Sequence, residues 1–98
     1  MMNQTEIANW AKKILATNAL DFIDEEDDKI SYEVGGDHEA FAADVFSVDD
    51  CSVQIRDGEK VLGGILFANE YSQKRQCSVT EVVNYSVSIE KLIDDLTM

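Results

Sequence analysis

The chain has no proline among its 98 residues, so no rigid linker or proline-kinked helix marks a domain boundary. No apolar run approaches the roughly 20 residues that a membrane-spanning helix needs. The first residues lack the basic start and apolar block of a secretory signal. At 45% apolar and 29% charged residues, the composition is typical of globular proteins. We therefore expect one cytoplasmic domain spanning residues 1–98.

Residues that bind metals or act as nucleophiles are scarce. His38 is the only histidine, and the pattern favours an exposed loop position for it. Cys51 and Cys77 are the only cysteines; their positions and the predicted compartment favour buried, reduced thiols. The acidic run after Ile23 has Lys29 and Gly35 where a calcium loop requires glycine and glutamate.

Sequence signatures of catalysis are missing as well. The chain has no phosphate-binding loop, no dinucleotide fingerprint and no nucleophile elbow. The glycine pair at 63–64 lies within a strand-like run, which indicates a bulge or a close packing contact. These absences predict a protein that is not an enzyme and that uses no cofactor or metal.

Positive charge is also scarce, and the excess of acids is unevenly distributed. Twenty Asp and Glu residues outnumber eight Lys and Arg residues, for a formal net charge of −12. Within residues 21–50, twelve acids are opposed by Lys29 alone. Such a density repels nucleic acids and anionic membranes and attracts basic surfaces, although acidic surfaces also serve solubility.

A central β-hairpin is predicted at residues 51–68. Apolar residues occupy odd positions on both sides of Gly58, and a period of two is typical of one face of a sheet. A three-residue loop at 56–58, with Gly58 left-handed and a bulge after it, places Val53 opposite Val61. That register keeps the apolar residues of both strands on one face.

The segment before the hairpin predicts a helix and two strands. Asn3 and Glu6 form a capping-box pattern, and an apolar stripe that includes Trp10 predicts an amphipathic helix from Gln4 to about Thr17. Asn18 is a candidate left-handed helix stop, and Trp10 a candidate core anchor. Residues 20–23 and 29–34 predict short strands joined by an acidic turn, although a longer first helix competes with the first strand.

Three later segments complete the predicted α+β fold. Residues 37–48 allow either a short helix capped by Asp37 or a strand, with a strand slightly favoured near 45–48. Residues 76–87 favour a long strand bent near Glu81, with a helix from Ser78 as the alternative. Ser88 can cap a short C-terminal helix with an apolar stripe. The sum is an N-terminal helix, four or five mostly antiparallel strands, and a C-terminal helix.

The acids of the first half are the candidate partner-binding site, because they fall on turns and strand faces that we expect to share one side. Carboxylates on such a surface can stand where phosphates would lie in the groove of a basic, nucleic-acid-binding protein. The candidate residues are Asp24, Glu25, Glu26, Asp27, Asp28, Glu33, Asp37, Glu39, Asp44, Asp49 and Asp50.

In size and charge balance, the chain resembles acidic anti-defence proteins of phages, including anti-CRISPR proteins and DNA mimics, and nuclease immunity proteins. This resemblance implies an inhibitor of a basic protein or ribonucleoprotein complex, with no direct contact to nucleic acid or membrane. The alternative is a small chaperone or adaptor similar to type III secretion chaperones, which pair acidity with a helix–sheet–helix order. The chain is expected to be a monomer or a homodimer.

Overall fold

The computed structural model describes residues 2–70 and 76–84. It has the predicted α+β architecture, with an N-terminal helix, a five-stranded antiparallel sheet and a second short helix. The elements in chain order are α1 (Gln4–Leu15), β1 (Ala19–Ile23), β2 (Lys29–Tyr32), α2 (His38–Val45), β3 (Asp50–Asp57), β4 (Lys60–Glu70) and β5 (Gln76–Asn84).

The strands are arranged in the order β2-β1-β3-β4-β5, so β3 lies at the centre and β2 and β5 form the edges. All neighbouring strands are antiparallel. The chain leaves the edge strand β2, forms α2, and returns to the centre of the sheet as β3. As a result, β1 pairs with β2 on one side and with β3 on the other.

The predicted capping box begins α1. The Asn3 side chain accepts a hydrogen bond from the Glu6 N–H at 2.9 Å, and the Glu6 carboxylate accepts one from the Asn3 N–H at 3.2 Å. The helix ends at Leu15, two residues before the predicted Thr17. The predicted left-handed stop at Asn18 is wrong, because Asp27 is the only non-glycine with positive φ in the described part of the chain. Asn18 instead donates a side-chain hydrogen bond to the Arg56 carbonyl at 3.2 Å.

The core lies between the two helices and one face of the sheet. Alternate residues of β3, including Val53 and Ile55, are fully buried there. Trp10 is the predicted anchor, only 4% exposed. Its ring centroid lies 6.4 Å from that of Phe41 in α2 and 6.3 Å from that of Phe67 in β4. A single tryptophan therefore joins both helices to the sheet.

An ion pair lies on the opposite face of the sheet, which we call the second face. Asp21 in β1 has no exposed surface, and its carboxylate accepts hydrogen bonds from Arg56 Nε at 2.5 Å and Nη2 at 2.9 Å. The Arg56 side chain is 16% exposed and also donates to the Gly58 carbonyl at 2.5 Å. This bidentate contact links β1 to β3.

The hairpin is confirmed, but its predicted register is wrong. Val53 lies opposite Ile65 rather than Val61, because the turn is formed by residues 58–59 instead of 56–58. Gly58 has the predicted positive φ, 59°. A bulge leaves Leu62 unpaired and buried, while Val61 pairs with Arg56. On the buried face, this register pairs Val53 with Ile65 and Cys51 with Phe67.

The strand favoured within residues 37–48 is also wrong. The segment forms α2, which begins at His38 and is capped by Asp37, as the helical alternative expected. The Asp37 carboxylate accepts hydrogen bonds from the N–H groups of Glu39 at 3.0 Å and Ala40 at 3.1 Å. Phe41, Ala42 and Val45 are fully buried, so tertiary packing of one helical face outweighs the β-propensity of the segment.

The favoured strand over 76–87 is confirmed for its described residues. The bend predicted near Glu81 is a bulge at Thr80, because Leu66 pairs with Glu81 while Phe67 pairs with Val79. The predicted C-terminal helix from Ser88 lies outside the described residues. Cys51 and Cys77 are buried free thiols, as expected.

Replacing Arg56 with methionine is expected to lower the free energy of unfolding by about 3 kcal/mol, because it leaves the Asp21 carboxylate buried without its counter-charge. Urea denaturation at neutral pH measures the loss. The double variant Asp21→Leu/Arg56→Met is the control and should recover most of the stability. If Arg56→Met alone were as stable as the wild type, the pair would not hold β1 to β3.

The contribution of this ion pair should also depend on pH. Burial alone raises the pKa of Asp21, but hydrogen bonds from Arg56 and Ser31 and the charge of Arg56 lower it below 3.8 overall. The pair therefore stabilises the fold fully above the unfolded-state pKa and loses its effect as pH falls through the lower folded-state pKa. The stability difference between wild type and Arg56→Met should shrink from neutral pH to about pH 3.

Candidate functional site

The acidic run between β1 and β2 forms a tight turn held by one of its own carboxylates. Asp24 Oδ1 accepts hydrogen bonds from the N–H groups of Glu26 at 2.9 Å and Asp28 at 3.0 Å. Asp27 has a φ of 64°, a conformation that aspartate tolerates better than most residues. The turn therefore projects Glu25, Glu26, Asp27 and Asp28 as exposed residues.

The pairing of β1 with β3 brings two further acids to this turn. Ile23 lies opposite Ser52, so the end of β1 reaches the start of β3. Glu25 Oε1 accepts a hydrogen bond from the Asp50 N–H at 3.0 Å. Asp49 and Asp50 are both exposed. We refer to residues 24–28, 49 and 50 as the acidic end of the sheet.

A cleft of about 310 Å³ opens at the acidic end. Carboxylates form part of its wall, and its other lining includes Leu66, which is 37% exposed on the second face. Such a cleft can accept the aliphatic stem of a lysine or arginine while carboxylates meet its charged head. The lining residues are Asp24, Glu25, Asp27, Asp50, Cys51, Ser52, Leu66, Phe67 and Thr80.

Glu33 is not part of the acidic end. It follows β2, at the opposite end of β1 from the acidic turn, as the pairing of Leu20 with Tyr32 shows. Its carboxylate lies 3.4 Å from Arg56 Nη2, and the side chain is 75% exposed. Glu33 therefore belongs to the surroundings of the Asp21–Arg56 pair.

The three candidate acids of α2 are also separate from the acidic end. Asp37 caps the helix, and Glu39 is exposed in its first turn. Asp44 accepts a hydrogen bond from the Tyr32 hydroxyl. Burial, that hydrogen bond and the charges of Asp44 and Asp37 raise the pKa of Tyr32. The tyrosine therefore stays protonated and joins β2 to α2.

Seven of the eleven candidate acids thus lie together, and four do not. The alternation of strand residues could have indicated Leu66 beside them, because its neighbours Ile65 and Phe67 face the core. Thr80 lies at the bulge of β5, where alternation gives no such signal. No pattern of neighbouring residues indicates the hydrogen bond between Glu25 and Asp50, because it depends on the long-range pairing of β1 with β3.

The histidine lies away from this site, whereas Cys51 is among the residues that line the acidic cleft. His38 is not in an exposed loop as predicted; it is the half-buried first residue of α2. It lines a separate cleft with Glu39 and polar residues of α1. Burial raises the pKa of the Cys51 and Cys77 thiols to about 12, so both remain uncharged and unreactive at neutral pH.

A metal-binding group and a membrane-spanning helix are both missing from the part of the chain that the structure describes. No group of three or more histidine, cysteine, aspartate or glutamate residues there could hold a metal ion. Neither helix within residues 2–70 and 76–84 is long and apolar enough to cross a membrane.

Replacing Asp24 with alanine is expected to lower the free energy of unfolding by about 1 kcal/mol, because two backbone N–H groups of the acidic turn lose their acceptor. Glu26→Ala is the matched control, since it removes the same charge from the same turn but no hydrogen bond of the described residues. Urea denaturation compares the two variants. Equal stabilities would show that Asp24 does not hold the turn.

Comparison with protein-family models, curated proteins and solved structures finds no match to this chain, so the description of its site rests on the geometry above.

Proposed function

We propose that this protein binds and inhibits a basic, nucleic-acid-binding protein or nuclease complex, with the acidic end standing in for nucleic-acid phosphates. The supporting observation is the grouping of seven acids from two separate segments at one end of the sheet. Asp49 and Asp50 are distant in sequence from the acidic turn, yet Asp50 and Glu25 are joined by a 3.0 Å hydrogen bond.

The charges of this end are available to a partner. Glu26, Asp27, Asp28 and Asp49 are exposed, and their carboxylates take part in no hydrogen bond or ion pair among the described residues. Lys29, which follows the turn, is the nearest base in the sequence. A cationic groove can meet these four carboxylates without first displacing a counter-charge from residues 2–70 or 76–84.

The cleft suggests how a partner is recognised at short range. A lysine or arginine of the partner can insert beside Asp27 and Asp50 and pack its aliphatic stem against Leu66. Long-range attraction by the whole acidic end speeds the encounter, and the cleft adds a local contact. The function proposed here involves no catalysis, cofactor or membrane, and it belongs inside the cell, where such partners lie.

Neutralising three exposed acids of this end is expected to weaken partner binding at least about tenfold at low salt, because several charge contacts are lost together. The variant is Glu26→Gln/Asp27→Asn/Asp49→Asn, which leaves the hydrogen-bonding carboxylates of Asp24 and Glu25 in place. The measurement is recovery of basic proteins on the immobilised chain from a nuclease-treated lysate of the native host, followed by titration of each recovered protein.

The matched control is Glu39→Gln/Asp57→Asn/Glu59→Gln, which removes the same net charge from exposed positions away from the acidic end. It should bind as the wild type does. Duplex DNA should compete with the wild-type chain for the recovered protein, and high salt should release it. Equal loss of binding in both triple variants would show that net charge, and not the acidic end, attracts the partner.

A further inference from the structure

Within residues 2–70 and 76–84, the edge strand β2 has a row of backbone hydrogen-bonding groups with no partner strand. The Asp24 N–H donates to the Asp28 carbonyl at 3.0 Å, so residues 24 and 28 form a hydrogen-bonded pair. Such pairs alternate along an antiparallel ladder, which makes Phe22–Ile30 and Leu20–Tyr32 the next two. The backbone groups of Lys29 and Ser31, and the N–H of Glu33, therefore point away from β1.

Apolar surface accompanies this free edge. Ile30 is 46% exposed and Val34 is 58% exposed, although both are large hydrophobic residues. The third exposed large hydrophobic residue among those described, Leu66, lies in the acidic cleft on β4. The β2 edge thus combines unpaired backbone groups with apolar side chains, the two features that permit a sheet to gain a strand.

We propose that β2 pairs antiparallel with the β2 strand of a second copy of this chain, about a two-fold axis at Ser31. In this register Lys29 lies opposite the second copy's Glu33, and Ile30 lies opposite Tyr32. The Lys29–Glu33 pair forms twice in the dimer, once on each side of the axis. The charges of the strand are therefore complementary to those of its own second copy. About four backbone hydrogen bonds form, two at the Ser31 pair and one from the Glu33 N–H to the Lys29 carbonyl in each Lys29–Glu33 pair, because the Glu33 carbonyl already accepts from the Gly36 N–H.

The charge of the chain favours this register over other pairings of the edge. Lys29 is the only base within residues 21–50, where acids number twelve. The register centred at Ser31 places that base beside an acid on each side of the axis. Because the strand is short and both copies are acidic, the interface belongs to the small, transient class. The inference does not depend on what the acidic end binds.

Two variants, each of which reverses the sign of one charge on β2 or just after it, test the proposal. The variants are Lys29→Glu and Glu33→Lys, each of which places like charges opposite each other in its own dimer. We expect each variant alone to dimerise at least about tenfold more weakly than the wild type. An equimolar mixture of the two should recover dimers, because opposite charges then face each other at both sites. Sedimentation velocity up to about 1 mM, in about 0.15 M salt, measures the association.

Control variants carry the same net charge changes away from β2. Lys60→Glu lies at the β3–β4 turn and Glu81→Lys on the opposite edge strand, and both should dimerise as the wild type does. A wild type that stays monomeric to about 1 mM would overturn the proposal. So would single variants that still dimerise, a mixture that fails to recover dimers, or controls that lose association.

Discussion

The hydrogen-bonded ion pair between Asp21 and Arg56 is the interaction on which the arrangement of the sheet depends. It lies on the second face, across from the apolar core, and links β1 to the central strand β3. The buried apolar face excludes a one-residue slip, which would turn the core residues of a strand outward, and the buried bidentate pair adds a second, directional constraint on the same alignment. The same arginine reaches Glu33 and the Gly58 carbonyl, so one side chain connects β1, the end of β2 and the hairpin turn.

The acidic end follows from that alignment. With β1 held against β3, the turn that follows β1 is carried to the start of β3, and two groups of acids meet that are far apart in the sequence. Concentrating like charges costs stability through repulsion, and Asp24 offsets part of this cost by holding the turn with its own carboxylate. Among the described residues, the exposed carboxylates of Glu26, Asp27, Asp28 and Asp49 have no ion-pair partner. This arrangement can attract a cationic partner at long range, and the fold supplies the cleft that would hold one side chain at contact.

Local signals account for the parts of the fold that the sequence predicted correctly. The capping box of α1, the alternation in β5 and the left-handed Gly58 depend on neighbouring residues only. The errors have a common cause in long-range packing. The hairpin register is set by the fit of β4 against β3, and α2 forms because Phe41 is buried against Trp10. Charge density indicated the acidic turn, but separating the seven acids of the acidic end from the four elsewhere required knowledge of which strands pair.

The central claim is that the residues of the acidic end act together as one surface that binds a cationic partner. Titrating the isotopically labelled protein with an arginine-rich peptide, while recording backbone amide shifts, tests it most directly. The account predicts that the largest shifts cluster at residues 24–28 and 49–52 and at Leu66 and Thr80, which border the cleft. Shifts of equal size at exposed acids elsewhere, such as Glu39, Asp57 and Glu59, would contradict it, because the peptide would then be responding to net charge alone.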